Sequence, residues 1–187
     1  LDSIGINYTR NYAQRFGYEK KLLPKDLSLA LGSGELTPLE LATGYATFAN
    51  GGFRIEPFLI SAIKDSTGNT VFKANPITVC LKCEKLGLGI DGEPDSIETL
   101  LQLEDLPPNK MAERSIDPEN AWIVGSMLRD VIKYGTGRRA LSLSRTDIAG
   151  KTGTTNDQRD AWFSGFNENV VTTVWVGFDK FEPLGRK

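Results

Sequence analysis

Histidine is absent from all 187 residues of the chain. Because imidazole is the commonest general base in enzymes, its absence excludes a Ser-His-Asp triad and any zinc site that needs a histidine ligand. Chemistry that depends on lysine therefore becomes the first possibility to consider.

Cysteine is also scarce, since the sequence contains only Cys80 and Cys83, in a C-x-x-C pair. One such pair supplies half of a four-ligand zinc site, and no second pair is present to complete it. The glycines and the proline that follow do not permit the helix that a thioredoxin-like redox pair requires. The pair is therefore either a local disulfide or two thiols, and the sequence indicates no metal and no organic cofactor.

Long hydrophobic runs are missing as well, because no stretch reaches the 18 apolar residues of a membrane-spanning helix. The net charge of -2 gives no general attraction to nucleic acid. The composition, 40% hydrophobic and 25% charged, is that of an ordinary globular protein. Because Leu1 is not an initiator methionine and Lys187 follows closely on a predicted strand, we interpret the chain as a piece of a longer protein.

Hydrophobic periodicity, helix caps and turn residues predict helices and strands in alternating groups. The predicted helices cover residues 7–16, 38–49 and 117–133, and the predicted strands cover residues 58–64, 70–73, 147–154 and 170–178. The last strand is apolar almost throughout, which is typical of a central strand covered on both faces. The pattern predicts an α/β fold of the α+β type, with helices packed on a sheet.

Residues 75–115 form a segment of different composition, rich in Gly, Pro, Asp and Glu and without periodicity. Such a composition predicts an irregular acidic insertion or loop within the domain. It contains an acidic tract that is either a solvated loop or a surface for a partner; the tract runs through Glu93, Asp95, Glu98, Glu104 and Asp105.

The residues Gly150-Lys151-Thr152 match the end of a phosphate-binding P-loop. The motif G-x-x-x-x-G-K-[ST] requires a glycine where this chain has Arg145, and it requires a helix directly after the lysine. The sequence after Thr152 instead predicts the end of a strand and a turn. Nucleotide binding is therefore a weak alternative.

The same residues fit a second motif, K-T-G, of serine acyltransferases and hydrolases in which lysine replaces histidine. In that motif a glycine such as Gly153 lets a substrate backbone approach and pair as an added strand. Neighbouring hydroxyls can bind a carboxylate, and Lys151 supplies a fixed positive charge. The motif therefore predicts an edge strand beside an active site.

Further blocks in the same order make the match specific. They are residues 29–33, 37–42, 45–52, 135–137 with Ala140, 151–155, 160–163 and 172–177. With these blocks the chain resembles penicillin-binding proteins, and more specifically the transpeptidase domain of class A bifunctional murein synthases. The resemblance covers nearly the whole chain except residues 75–115.

The resemblance implies a serine β-lactamase/transpeptidase-like fold, mainly an antiparallel sheet flanked by helices, with residues 1–187 as part of one such domain. It implies a serine D,D-transpeptidase that cross-links peptidoglycan stem peptides through an acyl-enzyme and that β-lactam antibiotics trap. It also implies a parent protein tethered to the inner membrane, with this domain in the periplasm, where a Cys80–Cys83 disulfide is permitted. A glycosyltransferase activity of the parent is implied only by the class A likeness.

The site residues are carried over by their position in the motif. Lys151 would be the catalytic residue, with its charge near the nucleophile and the substrate carboxylate. The substrate-binding residues would be Thr152, Gly153, Thr154 and Thr155, with the hydroxyls of Thr152 and Thr154 on the carboxylate. The backbone amide of Thr154 would be one oxyanion donor, a contribution of about 3–4 kcal/mol to the barrier.

The nucleophile motif S-x-x-K departs from the family pattern. Its one match, Ser61 to Lys64, lies in a predicted strand, where an offset of three puts the two side chains on opposite faces. The family's S-x-N motif is absent from the sequence. We therefore expect the nucleophile, its lysine and the S-x-N loop to lie before Leu1, together with the rest of the domain, and we expect the isolated chain not to acylate. A non-catalytic peptidoglycan-binding or sensor domain is the alternative.

Several other residues have ordinary structural interpretations. The aromatic side chains of Trp162 and Phe163 are expected to pack beside the site. The acids Asp157 and Asp160 are expected to be solvated or paired with Arg159. The glycines in 135–137 are expected to cap the preceding helix.

Overall fold

In a computed structural model of the chain, residues 1–80, 111–180 and 182–185 are described. The chain divides into two compact units, one formed by residues 1–54 and 115–187 and the other by residues 55–114. All the predicted site residues belong to the first unit. The central part of the predicted insertion, with its acidic residues, lies outside the described residues.

The helices and strands of the described residues follow most of the predicted order. They are α1 (Ile6–Ala13), α2 (Pro38–Ala49), α3 (Pro118–Lys133), β1 (Ala62–Lys64), β2 (Thr70–Lys73), β3 (Ala149–Thr154), β4 (Ala161–Phe166) and β5 (Val171–Val176). The strand β4 has no counterpart among the predicted strands. The predicted mixture of helices with antiparallel sheet is confirmed.

Helix α2 begins with the predicted cap. The hydroxyl of Thr37 accepts a hydrogen bond from the Glu40 amide at 3.2 Å, and the Glu40 carboxylate accepts one from the Thr37 amide at 2.7 Å. This reciprocal capping box satisfies two of the amides that a helix start leaves unpaired, and Pro38 at the first position needs no partner. The helix ends at Ala49, with Asn50 as its C-cap, and Gly51 and Gly52 follow with positive φ.

Helices α2 and α3 pack on the three-stranded sheet of the first unit. The ring of Tyr45 in α2 meets the ring of Phe166 in β4 edge-on, with 6.4 Å between centroids. Helix α3 packs along β3, and its Ile132 is buried, with 2% of its surface exposed. The core of this unit therefore lies between the sheet and these two helices.

The sheet is antiparallel in the order β3-β4-β5, so that β4 is its central strand and β5 lies at an edge. The prediction that residues 170–178 form a central strand covered on both faces is therefore wrong for the described residues. Helix α2 packs on β5, while Val174 and Val176 on the opposite face are 48% and 53% exposed. Apolar residues on both faces of β5 led to the wrong placement, because composition does not say which face is covered.

The second unit contains the hairpin of β1 and β2, which pair antiparallel as predicted. Its turn is organised by Asp65, whose carboxylate accepts hydrogen bonds from the amides of Thr67 and Asn69 at 2.9 Å and 2.8 Å. Lys64 lies in β1 and Ser61 just before it, which confirms that this S-x-x-K match is not on a helix. Cys80 is disulfide-bonded, and Cys83, the other cysteine of the sequence, lies outside the described residues.

In the parts of the chain that the structure describes, none of the helices combines the length and the apolar character needed to span a bilayer.

Removal of the cap should weaken α2 and the sheet beneath it. Thr37→Ala is expected to lower the free energy of unfolding by about 1 kcal/mol, because the Glu40 amide loses its acceptor. Urea denaturation of the domain at neutral pH measures the change. Thr37→Ser keeps the hydroxyl and is the matched control. Equal midpoints for Thr37→Ala and the unmodified protein would contradict the capping role.

The capping box should also respond to acid. The amide of Thr37, followed by its hydroxyl, lowers the pKa of the Glu40 carboxyl below its ordinary value. Because the folded state has the lower pKa, the stabilisation is present above the ordinary carboxyl pKa and is lost as pH falls through the folded value. Urea denaturation at a series of pH values should show a smaller acid-dependent loss in Glu40→Gln. An identical pH dependence in both proteins would contradict this assignment.

Candidate active site

The K-T-G residues lie on strand β3, which forms one edge of the described sheet. Side chains alternate along a strand, so Lys151 and Gly153 share one face while Thr152 and Thr154 share the other. Within the described residues, β3 pairs only with β4, which leaves its second edge available to an extended ligand. The predicted edge position of the motif is therefore confirmed for the described part of the chain.

The pairing of β3 with β4 depends on two glycines that face each other, Gly150 and Gly165. A side chain on Gly150 would lie 2.8 Å from the Ser164 carbonyl oxygen, and one on Gly165 would lie 2.8 Å from the ring of Phe163. The Phe163 ring occupies the space above both glycines. This arrangement confirms the packing role expected for Phe163 and fixes the register that carries Lys151.

Gly153 lies directly opposite Trp162 in the ladder. A Cβ atom on Gly153 would be only 3.1 Å from the Cβ atom of Trp162. The Trp162 ring in turn lies beside the ring of Trp175, with 6.2 Å between centroids. Trp162 thus packs under the K-T-G strand, as expected for a residue that supports the site.

The turn after β3 is closed by hydrogen bonds between Thr155 and Asp160, the longest of which runs from the Thr155 hydroxyl to the Asp160 carboxylate at 3.4 Å. The Thr155 hydroxyl accepts from the Asp160 amide at 2.8 Å, and the Thr155 amide donates to the Asp160 carbonyl at 3.1 Å. The Asp160 carboxylate also accepts from the indole N–H of Trp175 at 2.8 Å. Gly177 leaves room for this bond, because a Cβ atom there would lie 2.6 Å from the carboxylate.

Local sequence patterns do not predict this use of Asp160, because its partner Trp175 lies 15 positions further along the chain, in the neighbouring strand β5. Asp157, by contrast, pairs with Arg159 at 3.5 Å, as expected. Within the described residues, no group of three or more His, Cys, Asp or Glu side chains is arranged to hold a metal ion.

The functional side chains of the motif are accessible. Lys151 and Thr154 are exposed and Thr152 is half-buried. The Lys151 ammonium donates to the Thr152 carbonyl oxygen at 2.7 Å. The strand therefore offers a positive charge and two hydroxyls within a few residues, a set suited to binding a carboxylate.

Ser164 in β4 pairs directly with Lys151 in β3. Only 2% of its surface is exposed, and its hydroxyl shares a 3.0 Å hydrogen bond with that of Thr173. A buried hydroxyl of this kind is not accessible to a substrate. Ser164 is therefore a packing residue.

The P-loop alternative does not fit the observed backbone. Strand β3 continues through Thr154 and is followed by a short 3-10 helix at Asn156–Gln158. A phosphate-binding loop needs the amides of a helix start directly after its lysine. Lys151 therefore lies within a strand and is not part of a phosphate cradle.

A threonine that the sequence indicated only as part of a helix cap also reaches the motif. Thr136, which follows α3, lies with its hydroxyl oxygen 2.6 Å from the hydroxyl oxygen of Thr152. The G-T-G block is a recognisable motif in the sequence. Its contact with Thr152 joins residues 16 positions apart, and hydrophobic periodicity does not predict such a contact.

Comparison with known families agrees with this geometry. A family model described as the penicillin binding protein transpeptidase domain matches residues 2–180. The chain belongs to the penicillin-binding protein transpeptidase family. The family prediction made from the K-T-G strand and its neighbouring blocks is thereby confirmed.

Curated relatives are named penicillin-binding protein 1A. The protein from Pseudomonas aeruginosa is 42% identical over 203 residues, an alignment that covers the whole chain and 25% of that protein. The protein from Neisseria flavescens is 44% identical over 186 residues, with the whole chain and 20% of that protein covered. The chain thus spans a quarter or less of these relatives.

A solved structure is similar over almost the same residues. Penicillin-binding protein 1A from Haemophilus influenzae matches with a TM-score of 0.81 and 40% identity, over 99% of this chain and 28% of that one. The predicted fold class, a transpeptidase-like domain of helices and antiparallel sheet, is confirmed by this likeness. The chain is part of a penicillin-binding transpeptidase domain.

The bond between Trp175 and Asp160 should hold the turn after the K-T-G strand. Trp175→Phe removes the indole donor and is expected to weaken the turn by about 1 kcal/mol. The amides of Thr155 and Asp160 should then exchange with solvent several-fold faster, which hydrogen exchange measures. Trp162→Phe is the matched control, because the Trp162 indole donates to no described residue. Equal exchange rates in the two variants would contradict the assignment.

Proposed function

We propose that the parent protein is a serine-type D,D-transpeptidase of peptidoglycan and that this chain supplies one wall of its active site. The observation that carries the proposal is the exposed edge of β3, with Lys151 and two threonine hydroxyls, in a chain of the penicillin-binding transpeptidase family. The site would bind a stem peptide as an added strand along that edge. β-Lactam antibiotics would occupy the same place.

In the proposed reaction, a serine hydroxyl attacks the carbonyl carbon between the two terminal D-alanines of a stem peptide. The serine oxygen forms an ester bond, the C–N bond breaks, and the terminal D-alanine leaves with the proton. An amine of a neighbouring stem then attacks the ester, forms the cross-link and returns the proton to the serine. A β-lactam forms the same ester but keeps its amine attached.

Each residue of the strand has a distinct proposed role. Lys151 holds positive charge near the nucleophile and the substrate carboxylate, while the hydroxyls of Thr152 and Thr154 donate to that carboxylate. The Thr154 amide donates to the developing oxyanion. Gly153 has no side chain, so the substrate backbone can approach the strand closely.

Thr155 was expected among the substrate-binding residues, and we assign it a supporting part. Its hydroxyl accepts from the Asp160 amide, which fixes the end of the strand. The amide of Thr154 is adjacent to this fixed point. Thr155 would therefore hold the oxyanion donor in position.

The rest of the site would come from the rest of the parent. The motifs S-x-x-K and S-x-N are expected in the part of the domain that this chain does not include, so the isolated chain should be inactive. By likeness to class A proteins, we propose that the parent is anchored in the inner membrane, acts in the periplasm and also polymerises glycan. The disulfide at Cys80 agrees with an oxidising compartment.

Fluorescent penicillin labelling, followed on a denaturing gel, tests the proposal. The full-length parent should be labelled, and the 187-residue chain alone should not be. Lys151→Ala should slow labelling on the order of a hundredfold, because charge stabilisation in an active site is lost. Lys64→Ala is the matched control, since it removes the lysine of the rejected S-x-x-K match, and it should label at the unmodified rate.

The alternative is a non-catalytic peptidoglycan-binding or sensor domain on the same fold. A folded parent that binds peptidoglycan but takes up no penicillin label would support that alternative. Labelling that disappears in Lys64→Ala and persists in Lys151→Ala would contradict our assignment of the site.

A further inference from the structure

The block Gly135-Thr136-Gly137 touches the active-site strand through one contact. The hydroxyl oxygen of Thr136 lies 2.6 Å from that of Thr152, the second residue of the K-T-G motif. Thr136 is exposed and Thr152 is half-buried, so the contact lies at the surface where a ligand of β3 would bind. The proposed function uses Thr152 and leaves Thr136 without a role.

The two glycines hold Thr136 firmly in this position. The amides of Gly135 and Gly137 both donate to the Val131 carbonyl oxygen at 3.1 Å, at the end of α3. A Cβ atom on Gly135 would lie 3.0 Å from backbone atoms of Val131, and one on Gly137 would lie 2.7 Å from the buried Ile132 side chain. A side chain at either position would displace atoms of Val131 or Ile132. The loop therefore packs closely against the end of α3.

The protons of the two hydroxyls decide what the contact can do. Each threonine hydroxyl has one proton to donate and can accept from another donor. When Thr152 donates its only proton to a carboxylate, the 2.6 Å contact remains a hydrogen bond only if Thr136 is the donor. The contact then favours the Thr152 rotamer whose proton points away from Thr136.

We propose that Thr136 is a positioning residue for carboxylate recognition: it donates to the Thr152 hydroxyl and so directs the Thr152 proton towards the ligand carboxylate. This inference rests on the proposed function of Thr152. Two aligned hydroxyls also polarise each other, which strengthens the bond to an anion. Thr136 would therefore act on ligands that carry the carboxylate and have little effect on ligands without it.

Acylation kinetics of the full-length protein test the proposal. The second-order rate constants are measured with benzylpenicillin and with its uncharged methyl ester. Thr136→Val should lower the rate with the free acid about three- to tenfold, the range for one neutral hydrogen bond, and leave the rate with the ester unchanged. Thr136→Ser should restore the rate with the free acid to within about twofold, because it keeps the hydroxyl.

A double-mutant cycle adds a second readout. Thr152→Val alone should slow acylation by the free acid, and adding Thr136→Val should cause no further loss, because Thr136 acts through Thr152. Thr43→Val is the control variant, since the Thr43 hydroxyl bonds only to the Leu39 carbonyl within its own helix in the described structure. It should not change either rate.

Equal slowing of the acid and the ester in Thr136→Val, or independent effects in the cycle, would overturn the proposal. So would an unchanged rate in Thr136→Val when Thr152→Val is slow, an outcome that leaves the proposed function intact. If Lys151→Ala and Thr152→Val both acylate normally, the proposed function itself fails. If Thr136→Val does not fold, Thr136→Ala, at this exposed position, is measured in its place against the same criteria.

Discussion

The close pairing of β3 with β4 is the constraint on which the site depends. Gly150 and Gly165 face each other, and the Phe163 ring lies over both, so the two strands are held in one register. A slip of one residue would turn every side chain of β3 to the opposite face and would reverse the placement of Lys151 and Thr152. The close approach at the two glycines therefore helps to set the position of the lysine.

The same strand is held at its two ends by different means. At its start, buried Ala149 anchors it in the core beside α3. At its end, Thr155, Asp160 and Trp175 form a chain of hydrogen bonds across the sheet. Residues 151–154 lie between these anchors, and in the proposed site they would present their polar groups to a ligand from a strand that is held at both ends. Such preorganisation is what a site needs if its donors are to stabilise charge at no cost of rearrangement.

The helices could be predicted from local signals because their causes are local. The capping box at Thr37 and Glu40, and the stop at Asn50, are written within a few residues of each other. Strand β4 was missed because its aromatic residues and Gly165 show no simple alternation. Its place between β3 and β5 follows from pairing with both neighbours, which a local pattern does not contain. The edge position of β5 was missed for the same reason.

The candidate site likewise has features that the local sequence predicts and features that it does not. The edge strand that carries Lys151 could be predicted because the K-T-G motif is written in consecutive residues, while the roles of Lys151 and its neighbours stay predictions. The contacts of Thr136 and Asp160 could not be predicted, because they depend on how α3 ends and on which strand carries Trp175. Both contacts arise from tertiary packing and backbone geometry. The spacing of residues in the sequence does not predict them.

In the proposed site, Lys151 and the threonines would contribute to carboxylate binding in different ways. An ammonium group is a compact charge on a flexible stem, so it attracts an anion from many directions. A hydroxyl is weaker, but its bond is directional and depends on where its single proton points. The two glycines flanking Thr136 fix one hydroxyl beside another and thereby restrict that direction. In the proposed site, charge would therefore bring a carboxylate to the strand, and the paired hydroxyls would determine how it is oriented there.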